Sequence, residues 1–336
     1  MFPIFVAQGK SQTRFKVGYI DQTGRVIVDP VFEDGTLFYE GLAAVKIKGG
    51  RWGLIDSSGE FVIPPTLWNR CQFQEGLACL ATKSGVWGVI NRTGNFVVEP
   101  KYSLMFPFCE GRAVARIGEW EKSRYGFIGR LGNEIVPTAF HRAWNFSEGL
   151  AAVKLAHLWG YIEPSGLFKI APRFEGTGKA KRSVDIRAGR FVNGFAPVWA
   201  GQDFYRFIDT TGALAFEGGF EDANSFSEGR AVVKLGGRYG FIDTMGKLAI
   251  DFRFTLARDF SEGLAKIEEK EPRAGVATPV GFIDPDGRMV IPPRFSSAES
   301  FRGGLSLVTT DDSIGYIKKS GEYVWQGPFV DYGVLC

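Results

Sequence analysis

Short runs of β-branched and apolar residues alternate with Gly-, Asp- and Ser-rich punctuation along the whole chain, a pattern that predicts strands joined by tight turns. Residues 42–65, LAAVKIKGGRWGLIDSSGEFVIPP, show the pattern at its clearest. They predict a three-stranded meander: one strand over residues 42–48, a turn at Gly49-Gly50, a second strand over 51–56, and a third over 60–63 that ends at Pro64-Pro65. Proline recurs at the end of the third strand, at Pro30, Pro64, Pro100, Pro137, Pro172 and Pro292. Because proline cannot donate to a ladder, that strand is expected at a sheet edge. On the middle strand Trp52 and Leu54 face one way and Ile55 the other, so both faces need cover and each meander must lie between two others.

The meander repeats. An aromatic or β-branched residue, Gly, an apolar residue, Ile and an Asp-x-x-Gly turn recur with the Ile at Ile20, Ile55, Ile90, Ile128, Ile162, Ile208, Ile242, Ile283 and Ile317, at intervals of 34 to 46 residues. Such a period is read as a repeat architecture, and the nine units make residues 1–336 one repeat domain. A second signature, Phe-x-Glu-Gly, lies between successive cores. Its Phe slot holds Phe38, Phe73, Phe108, Phe146, Phe191, Phe226, Phe260 and Phe301, expected as core pegs between units. Just beyond it, small residues (Ala43, Ala78, Ala113, Ala151, Ala196, Ala231, Ala265, Ser306) suit the close approach of a neighbouring sheet. The expected fold is all-β, with nine three-stranded antiparallel meanders stacked as an open superhelical array. The alternative is a closed β-propeller, whose blades have four strands.

These residues resemble the WG repeat, or KWG repeat, family of bacterial proteins. Trp-Gly stands at Trp52-Gly53, Trp87-Gly88 and Trp159-Gly160; Tyr takes the aromatic slot at Tyr125, Tyr205 and Tyr239, and Val or Ile at Val17, Val280 and Ile314. The sixth unit departs, with Arg206 where Gly belongs. The resemblance implies an all-β scaffold of binding or interaction modules with no assigned catalytic residues.

Composition narrows the chemistry. With 40 Lys+Arg against 37 Asp+Glu the chain lacks the one-sided charge of a nucleic-acid binder. No apolar run approaches the ~20 residues of a membrane helix, and the first residues, MFPIFVA, lack the charged and apolar regions of a secretory signal. Four cysteines without CxxC spacing read as free thiols of a reducing compartment, hence an expected cytoplasmic location. Two histidines leave little for a His-built metal site. No metal, cofactor or catalytic residue is expected, and no nucleophile elbow or phosphate loop occurs.

Two rows of carboxylates invite a ligand reading and a plainer one. Glu40, Glu75, Glu110, Glu148, Glu228 and Glu262 could bind a cation or basic peptide, but are expected to accept backbone N–H bonds. Asp21, Asp56, Asp209, Asp243 and Asp284 could suggest calcium, but fit turn capping. Departures from the repeat are more telling. The longest insertion, after Phe174, bears Lys179, Lys181, Arg182, Arg187 and Arg190; a second spans residues 268–279; a third, residues 118–124, presents Trp120. The five cations and Trp120 are the expected contacts for another protein with an acidic surface. The expectation is a non-enzymatic interaction scaffold or sensor module, a monomer by itself, within a larger assembly. The alternative is a lectin-like or small-ligand module with aromatic clefts between units.

Overall fold

The computed structural model describes residues 1–8, 11–118, 122–175, 188–201, 204–269 and 278–329, with the side chains of 11–14 left aside. The chain divides into two compact units, Met1–Asn145 with Gly327–Cys336, and Phe146–Gln326. All regular structure among the described residues is antiparallel β, arranged as nine small sheets that follow one another in sequence. The first sheet holds β1 (Phe2–Gln8), β2 (Ser11–Ile20) and β3 (Val26–Phe32) in that order. The second holds β4 (Asp34–Gly35), β5 (Ala43–Lys46), β6 (Trp52–Ile55) and β7 (Phe61–Leu67).

Seven of the nine sheets therefore have four strands, against the three expected. The additional strand is two residues long and pairs outside the first strand of the meander, Asp34 with Lys46 and Gly35 with Val45 in the second sheet. It is too short for any alternation of apolar and polar residues, so nothing periodic announces it. Four strands is also the blade of a β-propeller, so strand count no longer favours the open array.

The glycine of Trp-Gly has a physical cause. Between Trp52 and Leu54 the register of β6 against β7 shifts, Trp52 opposing Leu67 and Leu54 opposing Ile63. The same shift recurs at Gly18, Gly88, Gly126, Gly160, Gly240 and Gly281. At each the third strand's backbone comes so close that a Cβ would meet a carbonyl oxygen, 2.6 Å away at Gly88 and Gly160 and 2.8 Å at Gly53. Only glycine fits such an irregularity. The sixth sheet shows the converse. Arg206 stands in the glycine slot, and there only Phe195–Trp199 and Tyr205–Asp209 pair as strands, with isolated bridges at Phe220 and Leu214 in place of a third.

The small residues lie on the first strand of each meander. Ala43, Ala78, Ala113, Ala151, Ala196, Ala231, Ala265 and Ser306 pair with the signature isoleucines, from Ala43 with Ile55 to Ser306 with Ile317. All eight are buried. The Phe pegs are buried too, apart from the half-buried Phe38. Five of them are seen to pack on the sheet before their own: Phe38 on Tyr19 at 5.1 Å, Phe191 on Tyr161 at 4.8 Å, Phe226 on Phe207 at 5.4 Å, Phe260 on Phe241 and Phe301 on Phe282 at 5.0 Å. Such edge-on and tilted geometry adds about 0.5–1.5 kcal/mol to the burial itself.

Candidate functional site

Phe-x-Glu-Gly is a two-residue hairpin loop. Glu40 and Gly41 both adopt positive φ, 49° and 80°, and Tyr39 and Leu42 exchange backbone bonds across them. This is the type I′ conformation normally filled by Asn-Gly, and glutamate at its first position is strained. The strain recurs at Glu75, Glu110, Glu148, Glu228 and Glu262, with φ between 52° and 55°. Its compensation lies in the following unit. Glu40 Oε1 accepts the Glu75 N–H at 2.6 Å and Oε2 the Gly76 N–H at 2.8 Å. Glu148 likewise takes Asn193 and Gly194, Glu228 takes Glu262 and Gly263, and Glu262 takes Gly303 and Gly304. The turn aims two N–H groups outward as a small anion nest, and the preceding unit's carboxylate fills it.

Every residue of the motif interlocks in this way. The serine donates to the carbonyl of the next peg, Ser147 to Phe191, Ser227 to Phe260 and Ser261 to Phe301, at 2.7–2.8 Å. Arginines at the end of the third strand add another strap. Arg253 and Arg294 each donate to the turn-glycine carbonyl of the following unit, Gly287 and Gly321, and Arg173 does the same to Gly212. The glutamate row is thus a chain of clamps, further neutralised by Arg92 on Glu40, Arg130 on Glu75 and Lys319 on Glu262 at 3.4–3.8 Å. Glu228→Gln removes one of two charge-assisted acceptors. At this exposed position it is expected to cost about 1–2 kcal/mol, read as a lower urea midpoint with an unchanged slope.

The aspartate row caps turns. Asp56 Oδ1 accepts the N–H groups of Ser58 and Glu60 and the Ser58 hydroxyl, and Asp21 and Asp209 repeat the set with threonine. In the third unit Asn91 makes the same bonds without charge. Hydrogen bonds to the neighbouring hydroxyl, and then to backbone N–H groups, hold the carboxyls of Asp21, Asp56 and Asp209 below their ordinary value. A folded-state value below the unfolded one means the stabilisation is complete above about pH 4 and is lost as pH falls through the depressed values. Asp56→Asn, copying Asn91, is therefore expected to stay folded and to flatten the decline in urea midpoint between neutral pH and about pH 3.

No group of three or more metal-ligating side chains occurs among the described residues. Burial pushes the thiols of Cys71 and Cys79 up to about 12, and that of Cys109 upward as well, away from nucleophilic thiolate character. No helix among the described residues is long and apolar enough to cross a membrane.

Lys179, Lys181, Arg182, Arg187 and Trp120, expected to contact a partner, lie outside the described residues, as do residues 270–277 of the second insertion. Arg190 is exposed, and its carbonyl accepts the Ser225 hydroxyl at 2.8 Å. The long insertion leaves from a fixed stem and returns to one. Glu175 pairs with Leu158, while Ala188 bridges Val198 and Gly189 accepts the Tyr161 hydroxyl at 2.8 Å.

Comparison with known proteins agrees with this anatomy. No curated protein matches the chain. Among solved structures it is similar to the computationally designed Ika8 protein, at 13% identity, covering 86% of this chain and 93% of that one with a TM-score of 0.51, a likeness of fold alone. Weaker likenesses are BamB from Moraxella catarrhalis (11% identity, 95% and 94% covered, TM-score 0.37) and apo AztD from Citrobacter koseri (12%, 98% and 96%, 0.43). The family model described as WG containing repeat matches residues 18–51, 52–80, 87–119, 125–156, 205–239, 239–271 and 281–312. Those segments contain the glycine irregularities apart from Gly160, together with the glutamate and aspartate rows described above, and on them the chain belongs to the WG containing repeat family.

Proposed function

We propose that this protein is a non-enzymatic interaction module that holds another protein through the segments departing from its repeat. The reading rests chiefly on one observation: the polar residues that recur from unit to unit are occupied in joining unit to unit. The glutamates fill the next turn's N–H groups, the serines bond the next peg, and the aspartates cap their own turns. Charge available to a partner is then concentrated where the rule is broken, foremost in Lys179, Lys181, Arg182, Arg187 and Arg190, which suit an acidic protein surface. Free thiols at Cys71, Cys79 and Cys109 suit a reducing compartment such as the cytoplasm.

Deleting residues 179–187 and replacing Arg190 by alanine, which keeps the stem contacts of Ala188, Gly189 and the Arg190 carbonyl, is expected to abolish recovery of the partner while moving the thermal midpoint little. Unchanged recovery contradicts the assignment. The four-stranded sheets favour blades of a β-propeller over the open array. Solution scattering tests this, a compact chain of this length giving a radius of gyration of about 20 Å and an extended array a clearly larger one.

A further inference from the structure

The third sheet breaks the rule of the outer strand. Elsewhere the second residue of that strand is Gly35, Met105, Ala223, Ala257 or Ala298, paired to the first strand of its meander and, except for half-buried Ala223, buried. Three residues before the peg Phe73 that slot holds Arg70, which is exposed. A guanidinium cannot take a buried apolar slot without a partner, so Asn69 and Arg70 do not pair as a strand. The outer strand of this sheet is instead Phe73–Gln74, which covers only Ala78 and Leu77. Leu80 and Ala81, the counterparts of Val45 and Lys46, pair with Gly88 and Trp87 on one side but have no strand on the outer side, where a side chain substitutes, Asn69 Nδ2 donating to the Ala81 carbonyl at 3.0 Å.

Two further departures meet there. Ala81 occupies a position that other units fill with Lys46, Arg116, Lys154, Trp199, Lys234, Glu268 or Thr309, so the long side chain that most of them carry at this edge is missing. Trp68 occupies one filled elsewhere by Glu33, Ser103, His141 or Thr255, and it is 43% exposed. Together they leave a cleft of about 610 Å3 with Leu80 and Ala81 at its base, Trp68 and Phe96 among its walls and Lys83 on its rim. The Arg51 guanidinium lies 3.3 Å over the Trp68 ring and the Lys83 ammonium 4.7 Å from it. No carboxylate lines the cleft.

We infer that this cleft is a peptide-docking site: an extended acidic segment of a partner protein adds as the missing outer strand along Leu80 and Ala81. The vacancy has the shape of a short extended backbone, as the other sheets show by filling it with one. A small apolar residue fits opposite Leu80, where Gly35, Ala223, Ala257 and Ala298 sit in other sheets and Met105 in the fourth, and flanking carboxylates meet Lys83 and Arg51. Strand addition supplies affinity through main-chain bonds and specificity through alternate side chains. The inference rests on the interaction reading for the kind of partner alone, and uses a different surface from residues 179–190.

The test uses purified full-length protein and a capped, fluorescein-labelled heptapeptide, Glu-Val-Glu-Ala-Glu-Val-Glu, with one control bearing Lys for Glu and another Pro for Ala. The acidic peptide is expected to bind saturably and to slow hydrogen exchange at the Ala81 amide, and both controls to bind at least about tenfold more weakly. Ala81→Lys and Trp68→Ala each weaken binding about tenfold or more. Arg70→Ala, which lets the chain's own strand pair, does the same while leaving the thermal midpoint unchanged or higher. Deletion of 179–187 with Arg190→Ala leaves the titration unchanged, which separates this site from the one proposed above. The inference is overturned if the acidic peptide leaves Ala81 exchange unaltered, if the Lys peptide binds equally well, or if Arg70→Ala binds like the native protein.

Discussion

Replacing Phe226 by alanine is expected to lower the unfolding free energy by about 3–5 kcal/mol, the largest loss from a single side chain in this protein. The ring is 1% exposed and lies between sheets, against Phe207 at 5.4 Å, Phe195 at 5.9 Å and Phe216 at 6.4 Å. Truncation forfeits burial and leaves a cavity that a lattice of antiparallel backbone cannot collapse to fill. Because a repeat chain is stabilised by nearest-neighbour interfaces, the loss is also local. Amide exchange should accelerate first in the strands Tyr205–Asp209 and Arg230–Leu235. Phe204→Ala is the control, since that ring is 39% exposed and its loss should stay within about 0.5 kcal/mol. Equal effects at the two positions would mean that the pegs do not join the sheets.

Gly160→Ala should be nearly as damaging, although it adds a single methyl group. The new Cβ would lie 2.6 Å from the Ile170 carbonyl oxygen, 2.8 Å from the Pro172 nitrogen and 3.0 Å from the Ala171 carbonyl carbon. All three are backbone atoms, so no rotamer change relieves the clash. The third strand must move, and with it Phe174, which pairs opposite Trp159. We expect a loss of about 3 kcal/mol, with release of the third strand seen as faster exchange across Phe168–Glu175. Gly149→Ala is a useful comparison. There a Cβ meets nothing within 4 Å, and the cost is the φ of 74° alone, on the order of 1 kcal/mol. A milder effect at Gly160 than at Gly149 would contradict the close-approach account of Trp-Gly.

The parts of this fold readable in advance were those that repeat in place and act locally. Asp-x-x-Gly is turn chemistry within five residues, and the structure uses it as such. The Phe pegs and the small Ala or Ser residues follow from fixed slots that recur from unit to unit, although the pairing of the latter with the signature isoleucine of the same sheet does not. Three features were not readable, for different reasons. The outer strand is two residues long and has no periodicity. The Glu-Gly loop sets a residue with poor left-handed propensity at positive φ, and the cause lies about 35 residues away in the N–H groups of the next unit, beyond any local rule. The vacancy in the third sheet did have a signal: in the slot three before each peg, Arg70 stands among Gly35, Met105, Ala143, Ala188, Ala223, Ala257 and Ala298. That column acquires meaning only once the outer strand is known. The sixth unit is the opposite case, because Arg206 marked the departure in sequence and a missing third strand is its structural form.

The interlocking also bears on function. A glutamate row exposed along the repeat looks like a ligand site until Glu40, Glu148, Glu228 and Glu262 are each seen to hold two N–H groups of the following unit. Ligand binding is therefore proposed at positions where one unit differs from the rest, the insertion after Phe174 and the edge at Leu80 and Ala81.

The most direct test of this division is affinity purification of the tagged protein from its native host, with nuclease-treated lysate, quantitative mass spectrometry, and the deletion of residues 179–187 with Arg190→Ala, and separately Glu228→Gln, run in parallel. The account predicts a stoichiometric protein partner that survives nuclease, is lost from the deletion variant, and is retained by Glu228→Gln, whose effect is on stability alone. Loss of the partner on nuclease treatment, or equal recovery by the deletion variant with loss from Glu228→Gln, would contradict it, placing the binding on nucleic acid or on the repeated carboxylates themselves.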